Sequence, residues 1–240
     1  MIAGAQAVEV GGVAAISTGT RIALAVLAPV GPLAVALLRY VLPYDTVDDT
    51  GAIVQKTYAD PGAMSLVLWL TLVATLAIVP GAIAVGRLVR PRAPRLTAVA
   101  LTLTVPAYLM LPWLATTDQL VWVGAETGTS QASTVALLDS AHPSTAVATG
   151  IFVVGHVVGT ILLGLAMLRS RRVPAWAAVA TMVSQPLHFL TAVIVPNHTI
   201  DALAWGLNAV GFAAAGLAIL RGSDGEADED SEHGSAGAAA

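Results

Sequence analysis

Residues 140–168 read SAHPSTAVATGIFVVGHVVGTILLGLAML, a run without a single Asp, Glu, Lys or Arg. A helix rises ~1.5 Å per residue, so ~20 apolar residues cross the ~30 Å hydrocarbon core of a bilayer. The run is apolar on all sides, whereas a strand of a membrane barrel alternates polar and apolar residues. Because lipid cannot satisfy backbone polar groups, the run predicts a transmembrane helix.

Five further uncharged runs surround this one, and the chain as a whole is poor in charge. Only 11% of its 240 residues are charged and 56% are hydrophobic, whereas about a quarter of a soluble domain is charged. The shortest run lies between Arg21 and Arg39, whose long side chains can extend it by reaching the interface. The sequence therefore predicts an all-α, polytopic membrane helix bundle with six transmembrane helices. The predicted spans are 21–42, 63–86, 96–115, 145–168, 174–195 and 200–220.

The basic residues predict the orientation of these spans. Nine of the eleven Lys and Arg residues fall on one side of the bundle, and only Arg39 and Lys56 fall on the other. Cytoplasmic loops collect basic residues, so both termini are expected in the cytoplasm. Residues 1–20 are then an N-terminal cytoplasmic segment. Residues 222–240 hold six acidic residues and no large apolar ones, which predicts a disordered acidic tail.

Two links on the opposite side are long enough to contain short helices. Residues 48–62 offer an Asp/Thr start and a Pro-Gly stop, and a second helix is expected to start at Ser130 and to stop before Pro143. Such helices could cover the outer surface of the bundle, while solvated connectors are the alternative interpretation.

Ionisable and polar residues inside a membrane are costly, which makes each of them a functional candidate. Most of them here fall in the last three predicted spans. Helical spacing and short links predict that three polar faces meet at one level in the outer half of the bilayer. The candidate ligand-binding residues are His156, His188, Ser184, Gln185 and Asn208.

Three interpretations of this cluster remain open. In the first, the polar groups only hydrogen-bond across helices and fix their packing. In the second, the cluster is an outward-facing site for a small ligand, a proton relay, or a b-type haem held axially by His156 and His188, as in an electron-transfer protein. In that case Gly155 and Gly159 provide space for the macrocycle.

The third interpretation is a membrane-embedded, metal-dependent hydrolase. His142, His198 and Asp201, or His156 with His188 and Asp201, could bind zinc with an open position for water. Against it, the chain has no H-E-x-x-H motif and no glutamate in a span, and Asp201 could simply cap the sixth span. These absences favour a protein that is not an enzyme. The chain also lacks cysteine and nucleotide-binding motifs, and no nucleic-acid partner is expected.

Three stretches carry a family resemblance: VPGAIAVGRLVRPRAPRLTAVALTLTVPAYLMLPWL, ATGIFVVGHVVGTILLG and SQPLHFLTAVIV with DALAWGLNAVGFA. They resemble small six-helix integral membrane proteins of high-GC bacteria that form a domain of unknown function. The resemblance covers residues 20–220 and implies a multi-pass protein of the bacterial plasma (inner) membrane. It implies no activity, cofactor, oligomeric state or functional residue.

Overall fold

The computed structural model describes the backbone of residues 17–236 and the side chains of residues 17–222. Residues 1–16 of the predicted cytoplasmic segment lie outside these limits. In the predicted acidic tail the backbone of residues 222–236 continues the last helix, whereas residues 237–240 and the side chains beyond residue 222 lie outside the limits. The cytoplasmic place of both segments and the disorder of the tail stay predictions. Within these limits the chain forms nine α-helices, one π-helical turn and no strand. The helices are α1 (Thr18–Val41), α2 (Thr50–Ala59), α3 (Pro61–Val89), α4 (Pro94–Leu109), α5 (Leu111–Thr127), α6 (Gln131–Asp139), α7 (Ser144–Ser170), α8 (Ala175–Phe189) and α9 (His198–Ala236), and the π-helical turn is Leu190–Ile194.

Among the described residues, six helical segments are long and apolar enough to cross a membrane. They are Thr18–Val41, Pro61–Val89, Pro94–Thr127, Ser144–Ser170, Ala175–Ile194 and His198–Gly222. Large apolar side chains cover their outer surface: Leu76 is 65% exposed, Val154 61% and Leu203 63%. A surface this apolar suits lipid rather than water. The chain is a multi-pass membrane protein with the six spans that the sequence predicts.

The six spans pack as a closed ring. Each span contacts the next one along the chain, and α9 contacts α1 to complete the ring. The ring has two different ends. We call the end formed by residues 42–60, 128–143 and 195–197 the polar end, and the end formed by residues 90–93 and 171–174 the arginine-rich end.

Polar side chains start most helices at the polar end. Asp49 accepts a hydrogen bond from Ala52 N (2.8 Å), Asp60 from Ala63 N (2.9 Å), and Ser130 from Ser133 N (3.1 Å). Each of these oxygens satisfies a backbone donor that has no partner inside the helix. The structure confirms the two short helices predicted in the links, α2 and α6, and the predicted start of α6 at Ser130.

The third span is longer than the sequence predicts. It was expected to end at residue 115, but α5 continues to Thr127, so the link before α7 is correspondingly shorter. The span is interrupted at Met110, and Pro112 follows in the first turn of α5. Proline lacks a backbone donor but fits the first turn of a helix, where that donor has no helical partner. The proline therefore marks a break within the span and not its end.

Glycines on α7 allow a close contact with α4. A Cβ atom on Gly155 would lie 2.7 Å from both Leu103 O and Ala107 Cβ of α4. A side chain at this position would push α4 away, so the pair Gly155 and Gly159 forms a packing surface inside the bundle. The space beside these glycines is filled by α4, which corrects the expectation that it could receive a haem.

Candidate functional site

A cavity of about 320 Å³ lies inside the bundle, between α1, α3, α4, α5, α7, α8 and α9. It extends from Tyr108 and His156 in the interior to Thr46 and Ile53 at the polar end. Most of its walls are apolar. The polar side chains that line it are Arg39, Tyr44, Thr46, Thr71, Tyr108, Thr117, Asp118, Thr149, His156 and His188, and Trp205 adds an indole N–H.

His156 lines this cavity with one unsatisfied nitrogen. The residue lies on α7 and is 1% exposed. Its Nδ1 donates a hydrogen bond to the carbonyl oxygen of Phe152, one turn earlier (2.6 Å), while its Nε2 is buried without a partner. In a neutral imidazole that donates from Nδ1, Nε2 is a bare acceptor. The structure thus places an unpartnered hydrogen-bond acceptor at the wall of a mostly apolar cavity.

A buried charge pair supports the second histidine. Asp201 of α9 is fully buried, and its Oδ2 accepts from Nε of Arg39 at the end of α1. Its Oδ1 accepts from Nδ1 of His188 on α8 (2.5 Å). A carboxylate behind an imidazole fixes the ring orientation and leaves Nε2 as the remaining functional atom. Asp201 therefore joins three spans and sets the position of His188.

Aromatic contacts hold both imidazoles in place. The ring centroids of His156 and His188 lie 5.5 Å apart. Trp205 is 6.0 Å from His156 and 5.3 Å from His188, and Phe152 stacks on His156 at 4.4 Å. Below them, Tyr108 shares a 3.0 Å hydrogen bond with Thr160. The two histidines consequently have little rotational freedom.

The end of α8 is irregular beside His188. Pro186 lies inside α8, and the π-helical turn Leu190–Ile194 follows directly. Proline removes one donor from the helical ladder, and π turns occur often at functional sites. Ala192 and Val193 of this turn line the cavity.

A polar network connects the mouth of the cavity to the polar end. Asp45 accepts from Nζ of Lys56 (3.0 Å) and from Nε2 of His198 (2.9 Å), and Nδ1 of His198 lies 3.0 Å from the carbonyl oxygen of Arg39. Lys56 and His198 together hold the pKa of the Asp45 carboxyl below its usual value. Nearby, the Tyr44 hydroxyl donates to Asp118 (2.6 Å), and burial raises the pKa of Tyr44 well above its usual value.

The family model described as Domain of unknown function (DUF4386) matches residues 22–221. The chain belongs to the DUF4386 family. This confirms the resemblance seen in the sequence, and the matched range contains the whole cavity of the DUF4386 domain. No curated protein and no solved structure matches the chain.

Of the five candidate ligand residues in the DUF4386 domain, only His156 and His188 line the cavity. Ser184, Gln185 and Asn208 are fully buried elsewhere. The antiparallel contact of α8 with α9 places them deeper, towards the arginine-rich end. Gln185 Nε2 donates to Ser184 Oγ (3.1 Å), whereas Gln185 Oε1 and both polar side-chain atoms of Asn208 have no partner. They form a separate polar layer below the two histidines.

The structure does not assemble the zinc sets that the sequence suggested. His142 lies exposed in the link before α7, where its Nδ1 faces Ser144 Oγ at 3.0 Å. His198 and Asp201 point to different partners, as described above. Within residues 17–222, no three His, Cys, Asp or Glu side chains are grouped so that they could share a metal ion. Asp201 is also not the cap of α9. Asn197 caps this helix, because its Oδ1 accepts a hydrogen bond from Ile200 N (3.0 Å).

An axial haem also conflicts with the observed ring contacts. A macrocycle would have to lie between the two imidazoles, but their centroids are 5.5 Å apart and both rings also contact Trp205. Packed atoms are separated by about 3.5–4.0 Å, so no layer of atoms fits between these rings. The DUF4386 domain would have to separate α7 from α8 to admit one.

Sequence reasoning missed three residues at this site. Arg39 was interpreted as an interfacial anchor, whereas it pairs with Asp201. Tyr108 and Asp118 were not considered, although both line the cavity. The sequence did contain one signal for the ion pair of Arg39 with Asp201. Asp201 is the only carboxylate near the interior of a predicted span, and Arg39 is the only arginine on the same side of the predicted bundle. Buried charges in membranes usually pair with each other.

Proposed function

We propose that this protein binds a small, neutral, mainly apolar molecule that carries a hydroxyl or N–H donor. The observation that carries the proposal is the unpartnered Nε2 of His156 at the cavity wall. Leaving a buried acceptor unsatisfied costs about 1–3 kcal/mol. A ligand donor would satisfy Nε2, and the apolar walls would hold the rest of the molecule.

The charges around the cavity favour a neutral ligand. Arg39 and Asp201 neutralise each other, whereas the carboxylate of Asp118 lies beside Tyr44, nearer the polar end, where it accepts a hydrogen bond from the tyrosine hydroxyl. A charged ligand would therefore find no unpaired opposite charge at the level of His156. The volume of about 320 Å³ is at the lower end of the range for small-molecule sites.

The proposal includes an orientation. The nine basic residues outside Arg39 and Lys56 lie towards the arginine-rich end, which we assign to the cytoplasm of a bacterial cell with the protein in the plasma membrane. Both termini are then cytoplasmic, and the cavity is reached from the outer side through the polar end.

Two matched probes test the ligand chemistry: 4-hexylphenol and its methyl ether, 4-hexylanisole. In the ether a methyl group replaces the hydroxyl hydrogen, so the hydrogen-bond donor is lost. In the detergent-purified protein, we expect the phenol to raise Tm more than the ether does at equal concentration. His156→Phe keeps an aromatic ring at this position but removes the acceptor nitrogen. The phenol and the ether should then raise Tm equally.

The matched control is Thr149→Ala. Thr149 lies at the cavity wall, but its hydroxyl donates a hydrogen bond to Thr145 O of its own helix. This variant should keep the preference for the phenol. Equal shifts for phenol and ether in the unmodified protein would contradict the proposal, as would a phenol preference that survives in His156→Phe.

A further inference from the structure

A second cavity lies at the arginine-rich end, opposite to the ligand site. Its volume is about 680 Å³, and it is formed by α1, α3, the link before α8, α8 and α9. Four separate elements each contribute one arginine to it: Arg21, Arg87, Arg172 and Arg221. Residues this far apart in sequence converge on one cavity only because the ring of helices closes between α1 and α9.

Three of the arginines of this cavity, Arg87, Arg172 and Arg221, lack counterions among the described residues. Within residues 17–222, the side chains of Arg87, Arg172 and Arg221 form no ion pair and no hydrogen bond. All acidic residues in that part of the chain lie on the polar-end side of the bundle, namely Asp45, Asp48, Asp49, Asp60, Asp118, Glu126, Asp139 and Asp201. Several guanidinium groups around one cavity repel each other, and an anion bound between them would relieve this repulsion.

The remaining walls of the cavity are apolar. Leu24, Leu88, Leu217 and Ile219 line it, and Trp176 lies at its side, 58% exposed. Trp residues at this position of a membrane protein typically lie at the level of the lipid headgroups. The cavity thus combines a cationic part at the helix ends with apolar walls along the spans. A soluble anion would use only the first of these, whereas a phospholipid would use both.

We propose that this cavity binds an anionic phospholipid, with its phosphate between Arg87, Arg172 and Arg221. Guanidinium groups bind phosphate oxygens in a bidentate manner, and basic pockets between spans suit charged headgroups. The acyl chains lie along Leu24 and Leu217. The lipid would link α3, α8 and α9 at the end of the bundle where both connecting links have only four residues.

The acidic tail is the competing occupant, since its six carboxylates follow soon after Arg221 in the sequence. The apolar walls favour the lipid, because the tail has no large apolar residues to cover them. A full-length variant separates the two occupants. In this variant the six acids, namely Asp224, Glu226, Asp228, Glu229, Asp230 and Glu232, are replaced by their amides.

The test is native mass spectrometry of the purified full-length chain with added lipid, together with Tm measurements. We expect phosphatidylglycerol and cardiolipin to remain bound and to raise Tm, while phosphatidylcholine and inorganic phosphate do neither. Arg87→Gln and Arg172→Gln should each weaken binding by about fivefold, and the double variant should weaken it more than either single variant does. Arg169→Gln is the matched control, because Arg169 is exposed near the same end but does not line the cavity.

Three results would overturn the proposal. Equal binding of phosphatidylcholine would show that charge is not recognised, and equal losses in Arg169→Gln would show only a general surface attraction. Phosphatidylglycerol binding that appears only in the amide-tail variant would identify the tail as the occupant. If the arginine variants fold poorly, competition by raised salt in the unmodified chain still decides: phosphatidylglycerol retention should fall, and retention unaffected by salt contradicts the proposal.

Discussion

Asp201 is the residue on which the candidate site depends, since one buried carboxylate accepts from Arg39 and from His188. Removing one partner of a buried ion pair leaves the other charge uncompensated, which costs about 3–5 kcal/mol. We therefore expect Asp201→Asn and Arg39→Gln each to lower the free energy of unfolding by that amount.

The double variant Arg39→Gln with Asp201→Asn tests the coupling between the two residues. It should cost clearly less than the sum of the single variants, because no charge is left unpaired. Additive losses, measured by denaturation in detergent, would show that the two residues act independently.

Asp45 makes the stability of the polar end depend on pH. Its pKa in the folded protein is lowered because Lys56 and His198 donate to it. A carboxyl of this kind stabilises the folded state above its unfolded pKa of about 3.9. That contribution is lost as the pH falls through the lower, folded pKa.

Measured Tm should accordingly fall between about pH 5 and pH 3, and Asp45→Asn should make this fall shallower. Asp139→Asn changes the net charge equally without removing an ion pair of the described residues, so it should retain more of the fall than Asp45→Asn does. An unchanged pH profile in Asp45→Asn would contradict the assignment.

At this scale the sequence predicts the histidines but not their partners. His156 and His188 could be found because ionisable groups in apolar spans are rare and their spacing gives their depth. Arg39 could not be assigned with the same rules, because a basic residue near a span end can equally reach the interface. The rotation of α1 about its own axis relative to α9 decides whether Arg39 reaches the interface or pairs with Asp201. This rotation depends on helix packing, which the spacing of residues in the sequence does not reveal.

Helix α7 packs on α4 closely enough for a single added methyl group to disturb the contact. Gly155 faces α4 with a backbone oxygen 2.7 Å from any added Cβ, whereas Gly150 on the same helix has nothing within 4 Å. Gly155→Ala should lower the free energy of unfolding by about 1–3 kcal/mol. Gly150→Ala should leave it unchanged or raise it by about 0.5–1 kcal/mol, since alanine favours helix. Equal effects of the two variants would contradict the close packing of α7 on α4.

The existence of a helix was easier to predict from the sequence than the residue at which it ends. The short helices α2 and α6 carry their own start signals, Asp49 and Ser130, so local sequence is sufficient to find them. The predicted end of the third span was wrong because the uncharged run stops before Asp118, whereas α5 continues past this residue to Thr127. The extension of α5 brings Asp118 to Tyr44 on a distant segment, and such a tertiary contact has no local signature.

The orientation of the whole molecule can be tested with single cysteines, because the chain contains none. If the arginine-rich end is cytoplasmic, Ser130→Cys in the link before α6 should react with a membrane-impermeant maleimide in intact cells. Arg90→Cys, beside the α3–α4 link, should react only after lysis. The reverse pattern would show that the arginine-rich end faces outwards, and the cavity would then open to the cytoplasm.

The closed ring also has a consequence for how the protein is made. The pair that joins α1 to α9 connects residues 162 positions apart in the chain. At a synthesis rate of about 5–20 residues per second, this interval takes roughly 8–32 s. Throughout that time Arg39 is already inserted near one membrane surface without its carboxylate. A nascent chain that stops before the last span therefore leaves Arg39 at the bilayer without the buried carboxylate that compensates its charge.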